Sequence, residues 1–312
     1  MNQNIYYGKI KKKKNVLVID KEVRKPSENL WINNYYSNLI KNGEYNSITR
    51  FYKHKKGVIL GANESVEDIN IEECIKEGYE VVRRPSGGSV IVVEPMLNLC
   101  YSLFFNPKIF GSDININGIY KAITFPLAKN LGSRFKVEGT YYLRYDIGDK
   151  KVVVGGHAIK TEKNVIQFDG VINLKKFDVK KLEELIKLRD LYESEGKKYI
   201  LWEGRFYDKK GNFVKELRNG HLLRSEKKEL EQVLGLEDIG LSEKFFISAM
   251  KKTIEEIFGV AEYGQIPVSM RNKKQYTNKY IIKKTQKLGE GKKRKRLGHC
   301  FVDFVEEETR IF

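Results

Sequence analysis

The segment Arg83-Arg84-Pro85-Ser86-Gly87-Gly88 constrains this chain most, because it sets two arginines and two glycines between apolar runs. Tyr79 to Val82 alternates and is rich in β-formers, and Val90 to Val93 is a second apolar run, so the polar piece between them reads as a loop joining strands. Adjacent glycines let main-chain N–H groups approach a ligand closely and point the same way. Ser86 adds a hydroxyl, and two guanidinium forks suit a phosphate or a carboxylate. An anionic or adenylated ligand fits such a loop. A tight glycine turn between paired strands, with exposed arginines, fits the same six residues.

The wider order narrows the choice. Ile48-Thr49-Arg50-Phe51-Tyr52 reads as a strand, Gly57-Val58-Ile59-Leu60 as a second, and Gly61-Ala62-Asn63-Glu64 as a turn into a helix over about 66–77. The Arg-Arg loop follows, then Leu97-Asn98-Leu99-Cys100-Tyr101-Ser102. Over about residues 27–175, with weaker support to 260, this succession resembles the lipoate-protein ligase A family. Its members carry a V-x-x-G-x-x-Q/E turn and then R-R-x-S-G-G-G-A-V-x-H-D-x-G-N. The resemblance implies an α+β fold of the biotin/lipoate ligase type, a mixed sheet packed with helices, over 1–260. Residues 190–220 are expected as an insertion and 261–312 as a small basic C-terminal β segment.

The same resemblance implies attachment of lipoate or octanoate to a lysine of an acceptor domain. ATP and Mg²⁺ would first form an acyl-adenylate. An octanoyl or lipoyl transferase is a related alternative, and so is a biotin-protein ligase, although the G-R-G-R-R-G-R type of loop usual there is not found here. A non-catalytic relative that binds a partner or nucleic acid through its basic surface is a third. Residue by residue, the ligand would meet Arg83, Arg84, Ser86, Gly87 and Gly88, with Asn63 and Glu64 as further candidates in the preceding turn. The family's H-D-x-G-N is here Val93-Glu94-Pro95-Met96-Leu97-Asn98, one residue longer, and only Asn98 is kept.

A second segment, Arg144-Tyr145-Asp146-Ile147 through Lys150-Lys151-Val152-Val153-Val154-Gly155-Gly156-His157-Ala158, resembles the family's N-D-[IL] … K-[IV]-x-G-x-A. There the lysine reaches the acyl carbonyl and the adenylate phosphate. A point charge with rotatable donors suits that task. Aligning Gly156 and Ala158 puts Val153 in the lysine slot and Tyr145 in place of the asparagine, while Asp146 matches. Lys151 lies two residues earlier, on the same strand face and roughly 6.6 Å back; it is the expected catalytic residue. A local bulge could complete its reach. His157 falls beside the same pocket in this register, and a structural histidine fits the position as well. Asp169 stands where a histidine is common in the family, and no metal ligand set is expected in the protein itself.

Composition agrees with a folded chain. With 312 residues, 41% hydrophobic and 12% aromatic, it can bury a substantial core. Cys74, Cys100 and Cys300 have neither metal-ligand nor disulfide-framework spacing, which fits a reducing compartment. No run reaches the eighteen or so apolar residues of a membrane span, so the cytoplasm is the expected location. The net charge of +17 suits an acidic partner or nucleic acid. Family acceptor domains are usually acidic. Basic runs at 11–14 and 292–296 read as solvated hairpin or edge-strand lysines.

Expected elements complete the outline. A strand spans 5–19, and a helix opens at Pro26 with Ser27 as N-cap, burying Leu30, Trp31, Tyr35, Leu39 and Ile40. Helices are expected over 112–131, 178–189 and, as a pair, 222–260 with Ser242 capping the second. A hairpin is expected up to residue 217, and another pairs Tyr276–Ile282 with His299–Val305 around the basic tip.

Overall fold

A strand that buries both of its faces needs a layer on each side, and Asn98–Phe105 is such a strand, buried throughout. The computed structural model describes residues 14–64, 66, 69–111, 114–139, 141–186, 233–266 and 280–282, plus the backbone of strands within 191–216 and at 296–297 and 300–301. The chain begins with β1 (Lys14–Arg24), α1 (Pro26–Lys41), β2 (Tyr45–His54), β3 (Gly57–Leu60), α2 (Ile71–Lys76), β4 (Glu80–Arg83), β5 (Ile91–Val93) and β6 (Asn98–Phe105). It continues with α3 (Ile116–Leu131), β7 (Phe135–Glu138), β8 (Tyr142–Ile147), β9 (Lys150–Glu162), β10 (Val165–Asn173) and α4 (Val179–Leu185). Four short strands, β11 (Leu191–Ser194), β12 (Lys197–Trp202), β13 (Arg205–Tyr207) and β14 (Phe213–Glu216), form their own antiparallel sheet. Last come α5 (Glu243–Phe258), β15 (Glu262–Tyr263), β16 (Arg296–Leu297) and β17 (Cys300–Phe301).

The main sheet has eight strands in the order β15-β1-β2-β6-β10-β9-β8-β7. The β15-β1 and β1-β2 pairs are parallel and the others antiparallel, so the sheet is mixed. Alternation along β6 sorts its side chains. Leu99, Tyr101, Leu103 and Phe105 join the core under α3 and α5, whereas Cys100 and Phe104 join the core under α1. On this second side a small sheet, β4-β3-β5, also packs, and a third core between it, α2 and α4 holds Val58, Leu60, Cys74 and Leu185. The α+β expectation therefore holds, with the Arg-Arg loop carried by the small sheet.

Local chemistry moved several boundaries. The helix α1 is capped by Lys25, whose amide is returned to by Glu28 Oε2 at 3.1 Å, with Pro26 at the first turn where its missing N–H costs nothing. Ser27 is inside, its amide and Oγ both donating to Glu80 at 2.9 Å. Tyr36 takes the buried position expected for Tyr35. Asn70 caps α2 through Glu73 N–H, so that helix starts at Ile71 rather than near 66. Asn115 caps α3, and Ser242 caps α5 as expected. The strands β2 and β3, adjacent in sequence, lie in different sheets.

The C-terminal hairpin also differs. Ile281 bridges Val82 at the edge of β4, with Arg83 N–H donating to Tyr280 O at 2.9 Å, while β16 pairs with β17. Two short pieces of 261–312, β15 and 280–282, thus join the body. The first helix expected within 222–260, most of the basic run 11–14 and residues 292–295 lie outside the described residues.

Candidate active site

The loop after β4 is assembled from below by its own arginines. Arg84 is 7% exposed, and its Nε and Nη2 donate to Gly87 O at 3.1 and 2.7 Å, Nη2 also to Ser89 O at 2.8 Å, and Nη1 to Ile59 O at 3.1 Å. Four of the five N–H donors of this guanidinium are therefore committed to main-chain carbonyls. That corrects the expectation of a fork presented to an anion: Arg84 holds the loop. Burial lowers its pKa, with the Asp169 and Glu64 carboxylates opposing that fall. Arg83 Nη1 donates to the carbonyls of Gly61, Ala62 and Glu64 at 2.9, 3.3 and 2.7 Å, so it fastens the turn containing Asn63 and Glu64.

The turn and the loop touch backbone to backbone. A Cβ at Gly61 would lie 1.9 Å from Gly88 O, an approach only glycine permits. Gly88 has φ +87°, whereas Gly87 has no positive φ and an open Cβ direction. With the Gly87 and Ser89 carbonyls turned onto Arg84, the amides of Gly87, Gly88 and Ser89 find no acceptor among the described residues. Free amides beside a left-handed glycine are a backbone nest for an anion.

Beneath the loop lies β9. Its register against β8 shifts between Leu143↔Gly155 and Arg144↔Val153, leaving Val154 as the extra residue of a bulge. Val152 and Val154 point into the α3–α5 core. Lys151 and Val153 occupy the opposite, loop-bearing face, and beyond the bulge Ala158 does so too: a Cβ on Gly88 would lie 3.6 Å from it. Gly156 shares that face. Lys151 is exposed and pairs across the strands with Asp146, whose buried Oδ1 has no hydrogen-bond partner among the described residues. Directly opposite Val153 stands Arg144, ion-paired to Glu138.

His157 falls on the other face of the bulged strand. Its Nε2 lies 2.5 Å from Tyr101 Oη and its Nδ1 2.9 Å from Tyr141 O, and its ring packs on Phe168. Burial lowers its pKa to about 4. Of the two expectations for this position, pocket residue or structural histidine, the structural one holds. Asn98 is likewise spent on structure, accepting from Glu94 N–H at 3.1 Å and donating to Asn173 Oδ1 at 3.1 Å. Asp169, on β10 beside Ala158, accepts from Ser86, Ser102 and Gln167.

The lipoyl protein ligase A/B catalytic domain family matches residues 25–203, more than half of the chain. The chain belongs to this family. Among solved structures, it superposes on the bipartite lipoate protein ligase of Thermoplasma acidophilum, solved in a study of that ligase and its E2 lipoyl domain, with TM-score 0.59 at 16% identity over 86% of this chain and 91% of that one. A putative lipoate protein ligase of the same organism with bound lipoic acid gives 0.55 at 13% identity, covering 86% and 94%. A lipoate-protein ligase A bound with ATP gives 0.54 at 14%, covering 86% and 93%. No curated protein gives a significant sequence match. At these identities the superpositions establish the ligase fold.

Two features of this ligase-family site escaped the sequence reading. One is the glycine contact between Gly61 and Gly88; a glycine ending the β3 strand was its signal. The other is a buried polar layer: Asn29, Asn33 and Ser37 recur every four residues along α1 and face the sheet. There Arg50, fully buried, donates to Asn29 Oδ1 at 2.6 Å, Asn33 Oδ1 at 2.9 Å and Asp20 Oδ2 at 2.7 Å. Burial disfavours the Asp20 anion, yet hydrogen bonds from Arg24 and Arg50 outweigh it and hold that carboxyl below its usual range. Among the described residues no cluster of three metal-ligating side chains occurs, and no helix is long and apolar enough to cross a membrane. A cavity of about 530 Å³ lined by Pro107, Ile114, Ile116 and Ile166 shares no residue with the loop.

Proposed function

We propose that the chain activates lipoate, or octanoate, as an acyl-adenylate and transfers the acyl group to a lysine of an acidic lipoyl-acceptor domain. The observation that carries this reading is the loop whose carbonyls are held by Arg84 while the amides of Gly87, Gly88 and Ser89 stay unpaired among the described residues. Such amides receive the phosphate of an adenylate without having to break bonds first. The acid's carboxylate attacks the α-phosphate of ATP, releasing pyrophosphate. The acceptor amine then attacks the acyl carbonyl and AMP departs.

Within this reading Lys151 supplies positive charge to the carbonyl and phosphate, from the loop-bearing face that it shares with Val153. Asp146 would hold the magnesium that accompanies ATP, because one of its oxygens has no hydrogen-bond partner among the described residues. A magnesium ion takes most of its ligands from phosphates and water, so one carboxylate suffices. The known activities of the ligases that share the fold support the same assignment by analogy. A second reading, a non-catalytic relative that binds a partner through its basic surface, is favoured by the valine in the lysine slot.

The test is mass spectrometry of a lipoyl-acceptor domain incubated with the protein and lipoate. Acylation only with ATP supports the ligase. Acylation from an acyl-carrier donor without ATP supports a transferase, and no acylation under either condition overturns both and supports the non-catalytic reading.

A further inference from the structure

We propose that Asp169 is a positioning residue that latches the Gly87-Gly88 loop to the main sheet through Ser86; this rests on the ligand-binding role of the loop proposed above. Ser86 is fully buried, and its Oγ donates to Asp169 Oδ2 at 2.7 Å. The other oxygen, Oδ1, accepts from Ser102 Oγ at 2.7 Å, and Gln167 Nε2 donates to both oxygens at 2.9 Å. Three neighbours thus occupy the carboxylate. A ligand would have to displace these hydrogen bonds to reach it.

The latch has a reason to be anionic. Arg84 is buried under the loop with neutral carbonyls as its hydrogen-bond partners, and a buried charge needs a counter-charge nearby. Asp169 is the leading carboxylate opposing the effect of burial on Arg84. Ser86 therefore joins a segment built on a buried cation to a half-buried carboxylate fixed on the main sheet. Behind Asp169 the anchorage continues. Ser102 Oγ accepts from Asn33 Nδ2 at 3.0 Å, Asn33 Oδ1 accepts from Arg50 at 2.9 Å, and Arg50 reaches Asp20 at 2.7 Å. The loop is held by a polar chain that crosses four strands and a helix, and a preorganised chain of this kind fixes where the amides point.

Two measurements on the full chain test this, with Ser86→Ala, Asp169→Asn, their double variant and Ser102→Ala as a control that cuts the chain without touching the loop. Hydrogen exchange of the Ala62 and Arg84 amides, which donate to Ser86 O at 3.0 Å and to Leu60 O at 2.9 Å, should accelerate about tenfold in each of the first two, and no further in the double variant, because both remove one and the same contact. Ser102→Ala should change it less. Calorimetry with lipoyl-sulfamoyl-adenosine should show affinity falling about tenfold in the same two variants, again without addition in the double. Unchanged exchange in a folded Ser86→Ala protein, or additive losses, would overturn the latch. A wild-type chain that shows the exchange pattern but does not bind the adenylate analogue would overturn the ligand reading and, with it, the positioning role.

Discussion

At the scale of single residues, Gly87 and Gly88 look alike in sequence and differ in what they can tolerate. The left-handed conformation belongs to Gly88, where a Cβ would also sit 2.9 Å from the Arg84 guanidinium; Gly87 faces open space. Gly88→Ala is therefore expected to cost about 1–2 kcal/mol from backbone strain alone and to push Arg84 off its carbonyls. Gly87→Val is expected to leave the denaturation midpoint nearly unchanged while blocking the amides, so that adenylate binding is lost from a folded protein. Denaturant melts beside calorimetry separate the two, and tight binding by Gly87→Val would remove the loop from the site. The buried histidines carry a second expectation. Burial lowers the pKa of His54 to about 3 and of His157 to about 4, against an ordinary value of 6.5. Their folded-state pKa values are depressed, so the unfolded chain binds protons first as pH falls. Stability is full above about pH 6.5 and is lost below it, by about 2 kcal/mol per histidine at pH 5. Urea melts at pH 7 and pH 5 check the slope, and His157→Gln should flatten it by roughly half.

At the scale of elements, the bulge in β9 decides which cations lie near the valine that stands in the lysine slot. Lys151 shares the loop-bearing face with Val153, and Lys150, one residue earlier, faces the other way. Lys151→Ala is expected to slow acyl transfer 100- to 1000-fold, equivalent to about 3–4 kcal/mol of barrier, and Lys150→Ala to leave it unchanged. Val153→Lys should raise the rate. Arg144→Ala is the necessary comparison, because Arg144 lies opposite Val153 but is drawn toward Glu138 on the edge strand. Single-turnover rates of all four variants rank the cations, and full activity in Lys151→Ala would exclude that residue. The position of the bulge is not legible in the sequence: one extra residue in a run of valines has no compositional mark, and plain alternation keeps His157 on the face of Val153, whereas the bulge turns it to the core. Alternation was legible wherever both faces are apolar, as in β6. The asparagine stripe of α1 was not, since apolar periodicity ignores buried amides whose partners, Arg50 and Ser102, come from distant strands. Pairings as short as β15 on β1, or 280–282 on β4, depend on where the sheets end and leave almost no local signal.

At the scale of the whole molecule, charge is what the fold leaves unexplained. Lysines and arginines outnumber acidic residues 58 to 41, while the ion pairs that join elements, such as Lys53 with Glu243 and Lys181 with Glu77, use each sign equally. The excess of +17 therefore remains after pairing and gives the surface a positive potential. An acidic acceptor domain approaching that surface gains rate more than contact energy, because steering acts before docking. Its association rate is expected to fall at least tenfold between about 50 and 200 mM salt, as the Debye length shrinks toward 10 Å and below, while dissociation changes little. Stopped-flow mixing with an acidic lipoyl domain measures both. Duplex DNA discriminates the alternative: a chain adapted to nucleic acid would bind it with a steep salt slope from counterion release and would not be displaced by the acceptor. Should the acceptor show a flat salt dependence, the positive surface serves some other partner, and recognition of the acceptor would have to reside in packing around the acylated lysine.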